Sequence, residues 1–195
     1  MARPKSEEKR SAILDAATRV FAEHGIGAPT ARIAKEAGIA EGSLFTYFAT
    51  KDALLNELYL AIKTELRDAM MLAYPLAAPP RERAWHTWQA LVDWGAAHMS
   101  KRQVMNILSL SDRLTEESKA AVMQAFSAPN AMLTEIVAAG PMSALPPAFV
   151  GAMLGAMAET TMDSMMRHPA QASQFRSAGF EAFWRAVNPT NNLGE

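Results

Sequence analysis

The chain has 195 residues, half of them hydrophobic and a fifth charged, with a net charge of −1. That composition belongs to a globular protein with room for one or two domains and excludes a disordered chain. It holds no cysteine, which excludes disulfides, thiol redox sensing and cysteine-based metal sites. No apolar run reaches membrane-spanning length and the opening MARPKSEEKR lacks the apolar core of a signal peptide, so a cytoplasmic protein with no membrane partner is expected.

The first predicted helix carries Ile13, Ala17, Val20, Phe21 and His24 at spacings of three and four, and Gly25 ends it. Ser6 is its expected cap, with Glu7 and Glu8 near the positive end of the helix dipole. Residues 29–48, PTARIAKEAGIAEGSLFTYF, then read as two short helices joined by a tight turn. Thr30 is the expected cap of the first of these, and Ile33, Ala34 and Ala37 line its inward face. Gly38 suits a left-handed backbone at the turn, where Ile39 plugs the corner. On the next helix Leu44 and Phe48 lie four apart on the buried side, leaving Glu41, Gly42, Ser43, Thr46 and Tyr47 outward. A small leading edge lets backbone approach base edges, and hydroxyls suit phosphate oxygens. Alone, the pair also fits an ordinary helical hairpin; the flanking helices argue against that. Thr50 caps a fourth predicted helix, which opens with Lys51 and Asp52 and runs through Leu54, Leu55, Leu58 and Ile62.

The run IAKEAGIAEGSLFTYFATKDALL, with the preceding AATRVFAEHG, resembles the tetracycline-repressor (TetR) family of bacterial regulators, over residues 6 to about 60. The resemblance implies an all-α fold of about nine helices. Residues 1–51 would form a three-helix helix-turn-helix DNA-binding domain, and residues 52–195 a helical ligand-binding and dimerisation domain. It implies three partners: double-stranded DNA bearing a palindromic operator, a second copy of the chain, and a small-molecule effector of unidentified structure. The DNA contacts it implies are Thr30, Arg32, Glu41, Gly42, Ser43, Phe45, Thr46, Tyr47 and Lys51. Three features depart from the family pattern. The link from Gly25 to Ile33 is about one residue short with Pro29 in place of a frequent Ser or Thr, Ala40 stands where a capping Ser is common, and Glu41 replaces a frequent Lys. A carboxylate at 41 repels phosphate but can accept from a cytosine amino group. It is equally a favourable charge at a helix start, and the residues leave both readings open.

The near-zero net charge conceals an asymmetry. Residues 1–51 hold eight Lys and Arg against six Asp and Glu, whereas residues 52–195 hold eleven against fourteen. The positive balance therefore sits at the DNA-facing end. Arg3, Lys5, Lys9 and Arg10 read as an arm seeking phosphates or the minor groove, or as a solvated terminus.

Beyond the fourth helix, AYPLAAPP (73–80) reads as a linker. A fifth helix is predicted from about Arg81 to Met99 and a sixth from about Arg102 to Leu110. Thr115, Glu116 and Glu117 start a seventh that runs to Ala139, kinked or split by Pro129. An eighth spans 147–167, stopped by Pro169, and a ninth runs from about Ala170 to Val187, stopped by Pro189.

The fifth helix carries Trp85, Trp88 and Trp94, with Trp88, Leu91, Val92, Gly95 and Met99 on one face. Such a face packs a core or lines a ligand cavity. The ligand-contact candidates are Trp88, Val92, Met99, Asn106, Met123, Phe126 and Glu159, with Asp163 a further polar anchor. On the eighth helix, small residues including Gly151, Ala152, Gly155, Ala156 and Ala158 permit close helix approach, and methionines fill irregular gaps. In the resembled family the last two helices build the dimer, which makes Ala152, Gly155, Ala156, Phe183 and Trp184 the interface candidates, with intramolecular core as the alternative. His24, His86, His98 and His168 share no metal-ligand spacing, and there is neither a Gly-rich phosphate loop nor a nucleophile elbow. No enzyme, metal or cofactor is expected. The reading is a homodimeric repressor released from its operator by a small apolar or amphipathic effector. Alternatives are an activator of the same fold and a helical ligand-binding or adaptor protein with a non-functional DNA head.

Overall fold

The computed structural model describes residues 5–138 and 140–188. Among them it has ten α-helices and no strand: α1 (Lys5–His24), α2 (Thr30–Glu36), α3 (Glu41–Tyr47), α4 (Lys51–Met71), α5 (Pro80–Ala97), α6 (Met99–Ser109), α7 (Glu116–Ala125), α8 (Ser127–Ala138), α9 (Pro147–Arg167) and α10 (Ala172–Val187). A short 3₁₀ turn, Pro169–Gln171, precedes α10. No helix of the described residues is long and apolar enough to cross a membrane.

The all-α architecture matches expectation; the helix count is one higher. The predicted seventh helix is two, α7 and α8, broken at Phe126. Pro129 forces the break upstream of itself: it falls in the first turn of α8, where a missing N–H leaves no hydrogen bond unmade. Met99 opens α6 and does not close α5, because the chain leaves helical geometry at His98 (φ −121°, ψ 53°). Ser6 lies inside α1, not at its cap. Pro189 and the predicted helix end at Ala139 lie outside the described residues.

The chain forms two compact units, Met1–Glu65 with His98–Gln124, and Leu66–Ala97 with Ala125–Glu195. In the first, α1 packs on α2 and α6, and α2 on α3. Ile13, Ala17, Phe21, Ile33, Leu44, Phe48, Leu54, Leu55 and Leu58 are all buried, as are Val104 and Leu108 on α6. His24, expected on the inward stripe of α1, is exposed. The link between α6 and α7 is fastened to α4 by Asn56, itself buried. Its amide donates to the carbonyls of Asp52 (2.8 Å) and Arg113 (2.9 Å) and accepts from the Thr115 N–H (2.9 Å).

In the second unit α5 packs against α8, α9 and α10, and α9 against α10. Trp88 is the hub. Its indole donates to the Arg176 carbonyl at 3.0 Å and stacks on Phe183, ring centroids 6.0 Å apart and 6° from parallel. Val92, Met132, Ile136, Val150, Met162, Phe180, Trp184 and Val187 complete this core. Gly179 on α10 makes the approach possible: a Cβ there would stand 2.7 Å from Trp88 Cζ2 and closer still to Thr161 Oγ1. The Thr161 hydroxyl is held by the Met157 carbonyl at 2.8 Å, so neither neighbour yields easily. At Gly151 and Gly155, by contrast, an added Cβ meets nothing within 4 Å. Gly179→Ala is expected to destabilise the protein by about 1–3 kcal/mol through overpacking, whereas Gly151→Ala should stabilise it by up to about 1 kcal/mol through helix propensity. Thermal unfolding of the two variants checks this; a Gly179→Ala protein as stable as the parent would show that the helices separate at no cost.

Candidate nucleic-acid interface

The turn between α2 and α3 is built by backbone chemistry that the sequence specifies. Gly38 has φ +67°, a left-handed conformation that a Cβ disfavours. It lets the Ile39 N–H reach the Ala34 carbonyl (3.0 Å) and the Gly38 N–H reach that of Lys35 (3.1 Å), which satisfies the carbonyls left open at the end of α2. Ile33, Ala34 and Leu44 are buried on the inner side, and Phe48 closes the far end of α3. Arg19 of α1 pairs with Glu36 of α2 at 2.8 Å. The Arg10 guanidinium lies 5.2 Å from the Phe48 ring centroid and pairs with Glu57.

Glu41, Gly42, Ser43, Phe45 and Thr46 are thereby left exposed on α3, with Tyr47 half-buried and Arg32 exposed on α2. Thr30 does not cap α2. Pro29 occupies the cap position (φ −70°, ψ 147°), its carbonyl accepting from the Arg32 N–H at 3.1 Å. The Thr30 hydroxyl, one residue inside the helix, instead donates to Glu41 Oε1 at 2.7 Å. Ala40 leads into α3 with no side-chain cap. Thr50 caps α4 as expected, its hydroxyl accepting from the Ala53 N–H at 3.0 Å.

Lys51, the first residue of α4, is half-buried, its ammonium 5.8 Å from the Phe21 ring centroid. Burial and then the Arg113 guanidinium pull its pKa below the ordinary lysine value, while Asp52 acts in the opposite direction. Among the basic residues expected to form an arm, Arg10 is engaged with Glu57 and Phe48, because the ring and the carboxylate offer it a fixed seat. Lys9 is exposed. Arg3 and the Lys5 side chain lie outside the described residues.

Residues 13–58 match the profile of the bacterial regulatory proteins, tetR family. A putative tetR family transcription regulator from Shewanella sp. PV-4 superposes with a TM-score of 0.81 at 27% identity, over 92% of this chain and 97% of that one. The helix-turn-helix region of this chain, residues 13–58, is of the tetR-family type. The chain is 38% identical over 76 residues to the HTH-type transcriptional regulator BetI of Rhizobium meliloti, a match covering 38% of this chain and 37% of BetI. It is 45% identical over 51 residues to the HTH-type transcriptional repressor KstR2 of Mycobacterium tuberculosis, covering 26% of each. The chain thus spans between about a quarter and little more than a third of the length of these curated relatives, and the matched part holds the helix-turn-helix.

The candidate ligand residues do not form one group. Trp88 and Val92 are buried in the core of the second unit. Phe126 and Glu159, in the same unit, are half-buried. Met99, Asn106 and Met123 belong to the first unit, with Met99 and Met123 exposed. An open cleft of about 450 Å³ in the second unit is lined by residues outside the ligand-contact candidates: Pro79, Arg81, Glu82, Trp85, Ser177, Phe180 and Glu181. Trp85 meets Phe180 edge to face, centroids 5.0 Å apart. Arg81 pairs with Glu181 and lies over the rings of Phe180 and Trp184 at 5.8 and 5.9 Å. Trp85 was visible as an aromatic, but its meeting with residues about a hundred positions away carries no local signal. Of the interface candidates, Ala152, Gly155 and Ala156 are exposed. Phe183 and Trp184 are covered within their own unit, so their apolar area needs no second copy.

An added Cβ at Gly42 meets nothing within 4 Å, so the folded chain accommodates a branched side chain there. Gly42→Val is expected to leave the melting temperature nearly unchanged and to abolish operator binding in a gel shift, by holding α3 away from the bases. Tight operator binding by the folded variant would mean that another surface docks.

Proposed function

We propose that this protein is a homodimeric, ligand-responsive DNA-binding transcriptional regulator that acts as a repressor, with residues 1–51 as reading head and residues 52–195 for effector binding and dimerisation. The observation that carries this reading is α3: Leu44 and Phe48 are buried, which turns Glu41, Gly42, Ser43, Phe45 and Thr46 to solvent. Two copies of this helix would enter successive major grooves about 34–36 Å apart on a palindromic operator. Arg32, Tyr47 and Lys51 would hold the phosphates and α3 the base edges, while the Thr30 hydroxyl, its one proton given to Glu41, braces α3 from α2. The repressor KstR2 and the regulator BetI, similar over the helix-turn-helix, support transcriptional control; repression is preferred to activation on the KstR2 likeness. The protein acts by binding and not by catalysis.

The cleft beside Trp85 and Phe180 supports an amphipathic effector. Its volume of about 450 Å³ falls within the range of small-molecule sites, and apolar walls with a few charged groups at the rim are their usual lining. Because α4 is one helix from Lys51 to Met71, a shift of its distal end would move the phosphate anchor and change the spacing of the two reading heads.

Two experiments test the reading. Lys51→Ala should weaken operator and random DNA by the same factor and flatten the salt dependence by about one unit; altered sequence preference with an unchanged slope would remove Lys51 from the backbone contacts. For the dimer, Phe149, Ala152, Gly155 and Ala156 give α9 an exposed apolar face. Gly155→Arg fits the isolated chain, where nothing lies within 4 Å of the added Cβ. It should yield folded monomers by light scattering and reduce operator affinity by about a hundredfold or more through lost linkage of the half-sites. A variant that remains dimeric places the interface elsewhere.

A further inference from the structure

We propose that Glu41 selects a cytosine in the base pair facing the first turn of α3, and that Thr30 is its positioning residue. The inference rests on the DNA-binding reading above and adds what the operator must contain: a G·C pair at a fixed place in each half-site.

The argument begins with hydrogen-bonding capacity. The hydroxyls of Thr30, Ser43, Thr46 and Tyr47 donate or accept and so tolerate several base edges, and Arg32 only donates. A glutamate carboxylate only accepts. Of the outward groups on α3, Glu41 alone has this restriction. The major groove offers two donors to an acceptor, the amino groups of cytosine and adenine. Adenine N6 stands beside N7, an acceptor that repels a carboxylate, whereas the cytosine amino group has a C–H beside it. Guanine and thymine present oxygen or nitrogen acceptors and are disfavoured outright. An acceptor-only group therefore reads cytosine.

Geometry supplies the second part. Glutamate has one of the larger side-chain entropies to lose on immobilisation. Here the Thr30 hydroxyl already holds Oε1 at 2.7 Å across the gap between α2 and α3. Thr30 is the one hydrogen-bond partner of Glu41 among the described residues, and Glu41 is exposed, so Oε2 is open to a base. Preorganisation of this kind sharpens discrimination because less order has to be imposed on binding. The carboxylate also repels phosphates wherever the protein lands, and a cytosine amino group compensates best. Glu41 thus penalises wrong sequences as well as rewarding the right one.

The test is selection of operators from randomised duplexes by the full-length protein. Titrations of Glu41→Gln, Thr30→Val and Thr30→Ser would follow, on the selected site and on versions with each G·C pair replaced. The parent should discriminate at one pair per half-site by a factor of about five to 150, the range of a single base contact. Glu41→Gln should move that preference toward adenine, whose N6 and N7 suit an amide, and should bind random DNA more tightly. Thr30→Val should narrow the preference with unchanged melting, and Thr30→Ser should retain it. A Glu41→Gln protein with the parent's preference would reduce Glu41 to a brace between α2 and α3 and overturn the inference alone. An unaltered preference in Thr30→Val would overturn the role of Thr30. A parent protein that enriches no sequence would overturn the DNA-binding reading, and this one with it.

Discussion

Two helices of seven residues each form the helix-turn-helix and its exposed face, and neither is long enough to persist in water by itself. Neither has a side-chain cap, so local chemistry adds little. What holds them is burial: Ile33 and Ala34 on α2 and Leu44 and Phe48 on α3 are almost wholly removed from solvent. Removing a large aliphatic or aromatic side chain from water is worth about 1.5–3 kcal/mol, more than the roughly 1 kcal/mol of a typical cap. The orientation of the exposed face follows from the same burial. Leu44 and Phe48, four apart, define the inner face, and Ser43, Phe45 and Thr46 are left to solvent.

Around that surface, charge is disposed so that several basic residues are already engaged. Arg10 is seated on Phe48 and Glu57, Arg19 on Glu36, and Lys51 sits over Phe21. These contacts orient the helices; exposed ion pairs of this type contribute little to stability. The Thr30–Glu41 bond belongs to the same pattern of bracing between short elements, with the difference that its acceptor faces solvent. Asn56 performs the corresponding task away from that face, through main-chain groups of the α6–α7 link.

In the second unit the limiting distance is that between α10 and its neighbours α5 and α9. Gly179 permits it, Trp88 fills it, and the indole N–H is satisfied by a main-chain carbonyl. A buried donor without a partner would cost about 1–3 kcal/mol, so the position of Arg176 on α10 matters through its backbone as well as through its ion pair with Asp93. Phe183 and Trp184 are used up in this packing, so their apolar area is satisfied within the unit.

By itself the sequence determined what depends on periodicity and on local stereochemistry. The stripe Ile13–Ala17–Val20–Phe21, the turn at Gly38, the Thr50 cap and the extent of α9 were all legible, since each rests on residues within a turn or two of one another. The tertiary structure alone decided matters that depend on distant partners. It assigned the Thr30 hydroxyl to Glu41 and not to a cap, made Gly179 rather than Gly155 the site of close intramolecular approach, and turned Phe183 and Trp184 into core. It also joined Trp85 to Phe180 at a cleft that the sequence did not announce, and left the Met99 and Met123 side chains exposed. The physical reason is common to all of these. Helical spacing says which residues share a face, but what that face meets is set by contacts between segments far apart in the chain, and no local pattern encodes them.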